Sequence, residues 1–263
     1  LSFVLLYIIP GDPVLSIVGE YYNEETITNL REELNLDKNL WTQYYLYLSN
    51  VISGNLGNSY ITGEEVFHNI IQRLPYTIIL AIIAMLFATT LGISLGLIAS
   101  INHNTIIDRI IVMFSIFTVS SPVFWIALLI ILLFSLQLRL LPPSGYDGII
   151  FIILPALTLG MRSIALFIRI TRTNFIEILN KEYMITAKAK GLSKNKIIYK
   201  HGFKNLLIPI ITIIGLDFGS YLTGAVLTES IFGWPGIGRM MLNAIMQRDF
   251  PLIQGDIIYM VLI

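Results

Sequence analysis

The sequence lacks cysteine and has few charged residues. It has 263 residues with no Cys, and Asp, Glu, Lys and Arg make up 13% of them, which is about half of the share usual in soluble domains. The missing cysteine excludes disulfides and thiolate metal sites. Because the formal net charge at pH 7 is zero, the chain as a whole has no field that would attract nucleic acid.

Motifs for catalysis and for nucleotide binding are lacking as well. No glycine-rich run ends in Lys-Ser or Lys-Thr, so the sequence has no P-loop to hold the phosphates of ATP. It also has no HExxH motif and no serine–histidine constellation. The histidines, His68, His103 and His201, are far apart in the sequence, which disfavours a shared metal site. These absences predict a non-enzymatic chain that binds no metal or cofactor itself.

Long apolar runs dominate what is present. Two runs, 74–101 and 110–138, contain no Asp, Glu, Lys or Arg, and each exceeds the ~20 residues that a helix needs to cross a bilayer. We therefore predict an all-α integral membrane protein that forms a single domain over residues 1–263, and we expect both natural termini to be absent. Six transmembrane helices are predicted, the first and last partial: 1–10, 74–101, 110–138, 149–171, 205–228 and 251–263.

Charge is segregated along the chain. Residues 162–204 hold ten of the seventeen Lys and Arg residues and only two acids, whereas residues 11–73 hold nine acids and three bases. Because Lys and Arg collect on cytoplasmic flanks, we expect 172–204 to be cytoplasmic and 11–73 to be extracytoplasmic. Three predicted crossings separate the two segments. Because this number is odd, the two segments lie on opposite sides of the membrane, in agreement with the charge distribution.

The extracytoplasmic segment has two recognisable parts. NEETITNLREELNL has apolar residues near helical spacing, which predicts an amphipathic helix. The aromatic cluster that follows is typical of a bilayer interface, although contact with a substrate or partner is an alternative. The cluster comprises Trp41, Tyr44, Tyr45 and Tyr47.

Asp217 is a carboxylate well inside an apolar run. Ionisable groups at membrane depth are costly and are treated first as functional candidates. Asp217 could line a transport pathway and meet a cationic group of the cargo, or it could pair with Arg162 or with a neighbouring subunit. Prolines and glycines in the runs are expected to serve kinks and close helix packing rather than gating: Pro122, Pro155, Gly92, Gly96 and Gly160.

A basic stretch, MITAKAKGLSKNKIIYKHGFKNLLIP, interrupts the apolar runs at 184–209. Tyr183, Ala187 and Gly191 are four residues apart and would share one helix face. Gly191 suits a helix C-terminus in the left-handed conformation, and Ser193 could cap a following helix. A helix, a turn and a second helix on the cytoplasmic side could fix topology at the lipid headgroups, or could dock a cytoplasmic partner.

The same stretch resembles the coupling loop of ABC importer permeases. The general pattern, E-A-A-x-x-x-G, fits only at Ala187 and Gly191, but TAKAKG at 186–191 and KHGFKNLLIP at 200–209 are similar to the dipeptide, oligopeptide and nickel branch. Further stretches resemble that branch in the same order, and together they look most like the first of its two paired permease subunits. They are IIPGDP at 8–13, SGNLGNSYITG at 53–63 and ESIFGWPGIGRMMLNAIMQRDFPLIQG at 229–255.

The resemblance implies a multi-pass protein of the bacterial cytoplasmic membrane with the type I ABC importer permease fold. Its implied partners are a second permease subunit, two ATPases that bind ATP and Mg, an extracytoplasmic substrate-binding protein and membrane lipid. Alternating access would carry peptides or nickel chelates. The implied ATPase-coupling residues are Tyr183, Thr186, Ala187, Lys188, Ala189, Lys190, Gly191 and Leu192. A secondary, proton-coupled transporter that uses Asp217 is the alternative, although we find no paired repeats of the kind such carriers show.

Overall fold

The structure is a computed structural model that describes residues 3, 14, 24–33, 35–182, 184, 190–192, 202–223 and 225–263. Over these ranges it is helical, and its β-structure is confined to one isolated bridge between Asn58 and Glu65. The all-α prediction is therefore confirmed. In chain order the α-helices are α1 (Glu24–Glu33), α2 (Leu40–Ile52), α3 (Val66–Ile101), α4 (Ile106–Ser120), α5 (Val123–Ile130), α6 (Ile153–Leu179), α7 (Phe203–Leu222), α8 (Val226–Phe232), α9 (Ile237–Gln247) and α10 (Phe250–Leu262).

Residue contacts divide the chain into two compact units. Unit 1 comprises Leu1–Thr77 and Pro235–Ile263, and unit 2 comprises Ile78–Trp234. In unit 1, apolar side chains at the start of α3 pack against α9 and α10. In unit 2, α6 is central, because it contacts α4, α5, α7 and α8 and also packs against α3. The single domain predicted for residues 1–263 stays a prediction.

Four apolar stretches have the length and composition of membrane crossings. Two are continuous helices, α3 and Ile149–Leu179, which joins a short 3₁₀ turn to α6. The other two are bent pairs, α4 with Val123–Gln137 at 116° and α7 with α8 at 59°. These four coincide with the four complete spans that we predicted. The predicted last span lies in α10, an apolar helix of 13 residues, while the predicted first span lies outside the described residues except for Phe3.

The predicted span 110–138 is not one continuous helix. It breaks between α4 and α5, where Ser121 is extended with φ −88° and ψ 136°. The cause is Pro122, which has no N–H to donate and disfavours helical backbone at the residue before it. Beyond α5 the helix widens into a π-helix over Ile131–Gln137. The expected role of Pro122 in a kink is confirmed, and the kink is large enough to divide the predicted span into two helices.

Three glycines bring α3 and α6 into backbone contact. A Cβ added at Gly92 would lie 2.5 Å from Phe167 Cβ, and one at Gly96 would lie 2.6 Å from Thr171 Cβ. From the α6 side, a Cβ at Gly160 would lie 2.8 Å from the Ala84 carbonyl oxygen. Small residues allow this approach between membrane helices, where packing contributes much of the stabilisation. The prediction that these glycines serve close packing is confirmed.

The described part of segment 11–73, which we predicted to be extracytoplasmic, contains the helices that its pattern indicates. The predicted amphipathic helix appears as α1. The aromatic cluster lies on α2, which begins where the Asn39 side chain accepts a hydrogen bond from the Thr42 N–H at 2.8 Å. Trp41 and Tyr45 are 83% and 71% exposed, so this cluster is available to an interface. Anchoring in the bilayer stays a prediction.

Candidate functional site

Unit 2 contains a cavity of about 810 Å³ between α4, α6 and α7, whose mainly apolar lining includes three charged side chains. Its volume falls within the range of small-molecule sites. Its walls carry both signs of charge, although the helices that form them are otherwise apolar. The charged lining residues are Arg162, Arg169 and Asp217.

The arginines come from one face of α6. Arg162 and Arg169 are seven residues apart, so they lie on the same side of the helix, about 10 Å apart along its axis. Both side chains line the cavity. Within the described ranges, neither guanidinium forms a hydrogen bond or an ion pair.

Asp217 faces the arginines from α7. It shares a helix face with Ser220 and Tyr221, which follow three and four residues later and also line the cavity. The Tyr221 hydroxyl donates a hydrogen bond to Ser163 Oγ at 2.5 Å, and both side chains are buried. This bond fixes α7 against α6 next to Arg162. The Asp217 carboxylate, in contrast, accepts no hydrogen bond from any residue in the described part of the chain.

The third wall is held to α6 by a serine of α4. The Ser115 hydroxyl donates to the Ala165 carbonyl oxygen at 3.2 Å, and Ser115 is buried. The bond gives the Ser115 hydroxyl, which is buried in an apolar helix, the hydrogen-bond acceptor that it needs. It places α4 against α6 between the levels of Arg162 and Arg169.

A buried ion pair joins the start of α4 to the far end of α6. Arg172 Nε and Nη2 donate to the two Asp108 carboxylate oxygens at 2.6 and 2.8 Å. Asp108 is 3% exposed and also accepts the Asn104 N–H at 3.0 Å. His103 Nδ1 lies 3.2 Å from both Asp108 Oδ2 and Arg172 Nη2. The cluster places residues 103–108 beside Arg172. This agrees with the predicted topology, in which two crossings separate these residues and both lie on the cytoplasmic side.

Unit 1 has a hydrogen-bonded cluster of its own, around Asp249. This buried carboxylate accepts the Ser59 hydroxyl at 2.5 Å and the Tyr60 N–H at 3.1 Å. Burial, together with the nearby Asp249 carboxylate, raises the pKa of Tyr60 to about 12, so its phenol stays neutral at physiological pH. The cluster joins two stretches that the sequence analysis singled out, 53–63 and 229–255.

The comparison with protein families identifies the architecture that carries these features. Residues 92–263 match the family described as binding-protein-dependent transport system inner membrane component. Residues 1–81 match the N-terminal membrane component of such transport systems. The chain belongs to this family. It is an ABC importer permease of the dipeptide and oligopeptide branch, located in the inner membrane, as the resemblance of its motifs indicated.

Relatives of this permease match it over almost its whole length. It is 38% identical to the di/tripeptide transport system permease protein DppB of Pseudomonas aeruginosa, with 98% of this chain and 85% of the relative covered. It is 37% identical to the glutathione transport system permease protein GsiC of Escherichia coli K12, with 98% and 84% covered. The dipeptide transport system permease protein DppB of the same strain is 35% identical, with 98% and 86% covered.

A solved structure supports the fold of the permease. A chain from the inward-facing conformations of the MetNI methionine ABC transporter superposes with a TM-score of 0.58, covering 74% of this permease and 91% of that chain. Only 12% of the residues are identical, so this likeness concerns the fold alone. The predicted fold class, that of an ABC importer permease, is confirmed.

The predicted coupling loop of the permease is described only in part. Gly191 has φ +71°, the left-handed conformation that we predicted for it, and a Cβ added there would meet no atom within 4 Å. Of its neighbours, Lys190 is exposed and Leu192 is half-buried. The other predicted coupling residues lie outside the described residues: Tyr183, Thr186, Ala187, Lys188 and Ala189. The coupling role of the loop stays a prediction.

Asp217 lines the cavity, and no ion pair joins it to Arg162 among the described side chains, so its pairing stays a prediction. Sequence reasoning named Arg162 as a partner for Asp217 but missed that Arg169 lines the same cavity. The i, i+7 spacing of Arg162 and Arg169 was the available signal. It also missed the Asp108–Arg172 pair, for which the sequence holds no signal beyond opposite charges at two helix ends predicted to be cytoplasmic.

Proposed function

We propose that this permease forms half of a pathway that carries short peptides across the inner membrane by alternating access. The observation that carries the proposal is the cavity in unit 2, where two guanidiniums and one carboxylate have no hydrogen-bond or ion-pair partner among the described residues, although the helices around them are apolar. Groups of this kind are expensive in lipid and mark substrate routes. The named relatives transport di/tripeptides, dipeptides and glutathione, which supports a peptide cargo. A nickel chelate stays an untested possibility.

The proposed assembly contains a second permease subunit, two ATPases and an extracytoplasmic binding protein. ATP and Mg would be bound by the ATPases, because this sequence has no phosphate-binding loop. The segment 183–192 would sit in a cleft of an ATPase and transmit its closure to the helices, a rigid-body transition between inward and outward states. Open space around Gly191 leaves room for such a partner.

We expect peptide uptake to depend on ATP and on the ATPases. Purification from the native host in mild detergent should recover two ATPase subunits with the permease, and uptake into cells should stop when ATP is depleted while the proton gradient is maintained. Persistent uptake under ATP depletion, with no ATPase recovered, would instead favour a proton-coupled carrier that uses Asp217, because its driving force would be the gradient. Asp217→Asn should leave the ATP dependence unchanged.

Substitutions at Gly191 separate backbone strain from loss of docking. Gly191→Trp should uncouple the ATPases, so that ATP hydrolysis continues while uptake falls severalfold, because a bulky side chain would fill the space left for the partner. Gly191→Asn is the matched control, since Asn tolerates the left-handed conformation better than most residues. It should retain more coupling than Gly191→Ala, which is strained at φ +71°.

The measurement is the ratio of peptide molecules imported to ATP hydrolysed in proteoliposomes, at equal amounts of permease. Normal coupling in Gly191→Trp would contradict the docking role of this segment. It would not contradict the predicted cytoplasmic position of the segment, which rests on the charge distribution.

A further inference from the structure

The charged groups of the cavity in unit 2 are arranged to meet a ligand that carries charges of both signs. Arg162 and Arg169 belong to one helix and Asp217 to the helix packed beside it, so positive and negative groups line the same cavity from two neighbouring helices. Among the residues that the structure describes, none of the three side chains forms a hydrogen bond or an ion pair. The protein therefore leaves both signs of charge available.

The position of these groups in their helices makes lipid an unsuitable environment for them. Arg162 and Arg169 lie within a helix that is long and apolar enough to cross a membrane, and Asp217 lies within an apolar stretch of α7. Charges at membrane depth almost always face a water-filled cavity or a polar partner. The cavity supplies the space, and a ligand would supply the opposite charges.

The Tyr221–Ser163 hydrogen bond holds α6 and α7 together close to Arg162 and Asp217. Arg162 precedes Ser163 by one residue, and Asp217 precedes Tyr221 by one helical turn, about 5.4 Å along the axis. Both charged residues therefore start close to the crossing of α6 and α7. An extended dipeptide spans about 7 Å between its ends, which suits a ligand held between the two helices.

We propose that this cavity binds short peptides by both termini, with Arg162 and Arg169 contacting the free α-carboxylate and Asp217 contacting the α-ammonium group. This assignment rests on the proposed function and adds to it that the permease itself recognises the two charged termini of the peptide. Arginine matches a carboxylate with two parallel hydrogen bonds, and Asp217 is the complementary acceptor for an ammonium group. Peptides with a blocked terminus leave one of these charges unpaired.

The absence of cysteine in this chain allows a direct test in the assembled transporter. Ser220 lines the cavity and is exposed, so Ser220→Cys introduces a single thiol into this subunit. The transporter is purified with its partner subunits, placed in nanodiscs without binding protein, and labelled with a positively charged methanethiosulfonate. Protection of the thiol is titrated with Ala-Ala, N-acetyl-Ala-Ala and Ala-Ala amide.

We expect Ala-Ala to protect at a concentration at least about tenfold lower than that of either blocked peptide, because each blocked peptide loses one charge-assisted contact. Asp217→Asn should remove the preference for Ala-Ala over N-acetyl-Ala-Ala and keep the preference over the amide. Arg162→Gln combined with Arg169→Gln should do the reverse. Lys181→Gln removes a cation outside the cavity and should change neither preference.

Several results would overturn the assignment. Equal protection by free and blocked peptides, or no protection by any of them, would exclude recognition of the termini in this cavity. Preferences that persist in the substituted proteins would place recognition elsewhere. Loss of the second permease subunit from Asp217→Asn would show that these charges hold the subunits together instead. ATP-dependent uptake by the unsubstituted transporter would in each case leave the proposed permease function standing.

Discussion

Arg172→Ala should lower the unfolding free energy of the permease by about 3 kcal/mol. Removing one partner of a buried ion pair costs roughly 3–5 kcal/mol because the other charge is left buried. The remaining carboxylate here is Asp108, which is 3% exposed and, among the described residues, would keep the Asn104 N–H and His103 as its hydrogen-bond partners. We expect the lower end of the range, since the Arg172 side chain is 24% exposed and water can enter the space it leaves.

The chain offers a matched control for this effect. Lys181 pairs with Glu177 at 3.4 Å near the same end of α6, but the two side chains are 50% and 68% exposed. Exposed pairs of this kind contribute about 0–1 kcal/mol, so Lys181→Ala should change little. Asp108→Asn should cost less than Arg172→Ala, because the arginine can turn towards water. Unfolding in mixed SDS and detergent micelles measures all three, and equal losses for Arg172→Ala and Lys181→Ala would refute the role of the pair.

The double substitution Gly92→Ala with Gly96→Ala should be still more disruptive. The added methyl groups would lie 2.9 Å from the Ile164 carbonyl oxygen and 2.8 Å from the Ile168 carbonyl oxygen. Because these are backbone atoms of α6, they cannot turn aside, and α3 and α6 must separate. Overpacking costs ~1–3 kcal/mol per site, and the upper end applies here because both methyl groups meet backbone atoms, while the higher helix propensity of alanine returns up to ~1 kcal/mol per site. We expect a net loss of about 2 kcal/mol per site, or about 4 kcal/mol for the pair.

Gly215→Ala is the control, and it should act in the opposite direction. Gly215 lies in the interior of α7, and a Cβ added there would meet no atom within 4 Å. Only the gain in helix propensity then remains, so this protein should be as stable as the unsubstituted one or slightly more stable. The amount of folded permease recovered in the membrane and the same SDS unfolding experiment would report both substitutions. A stable double variant would contradict the close approach of α3 and α6.

The apolar runs predicted most of the fold because they depend on local composition. A run of more than 20 uncharged residues has few alternatives to a membrane helix. Local rules also predicted the left-handed Gly191 and the kink at Pro122. They did not predict that Pro122 breaks the span by 116°, since the size of a bend depends on what each half packs against.

The candidate site was harder to predict because its members are distant in the sequence. Asp217 stood out as a carboxylate in an apolar run, but nothing local indicates that it faces Arg162 and Arg169. That arrangement depends on the Tyr221–Ser163 bond between two helices. Similarly, Asp108 and Arg172 are 64 residues apart, and each alone resembles an ordinary helix-end charge.

The attachment of α4 to α6 has a mechanical consequence. Asp108 and Ser115 bind α6 at two levels, through Arg172 and the Ala165 carbonyl oxygen. A rod fixed at two separate points can neither slide along its neighbour nor roll against it. We therefore expect these helices to move as one rigid body, with bending in unit 2 concentrated at the break 121–122 between α4 and α5.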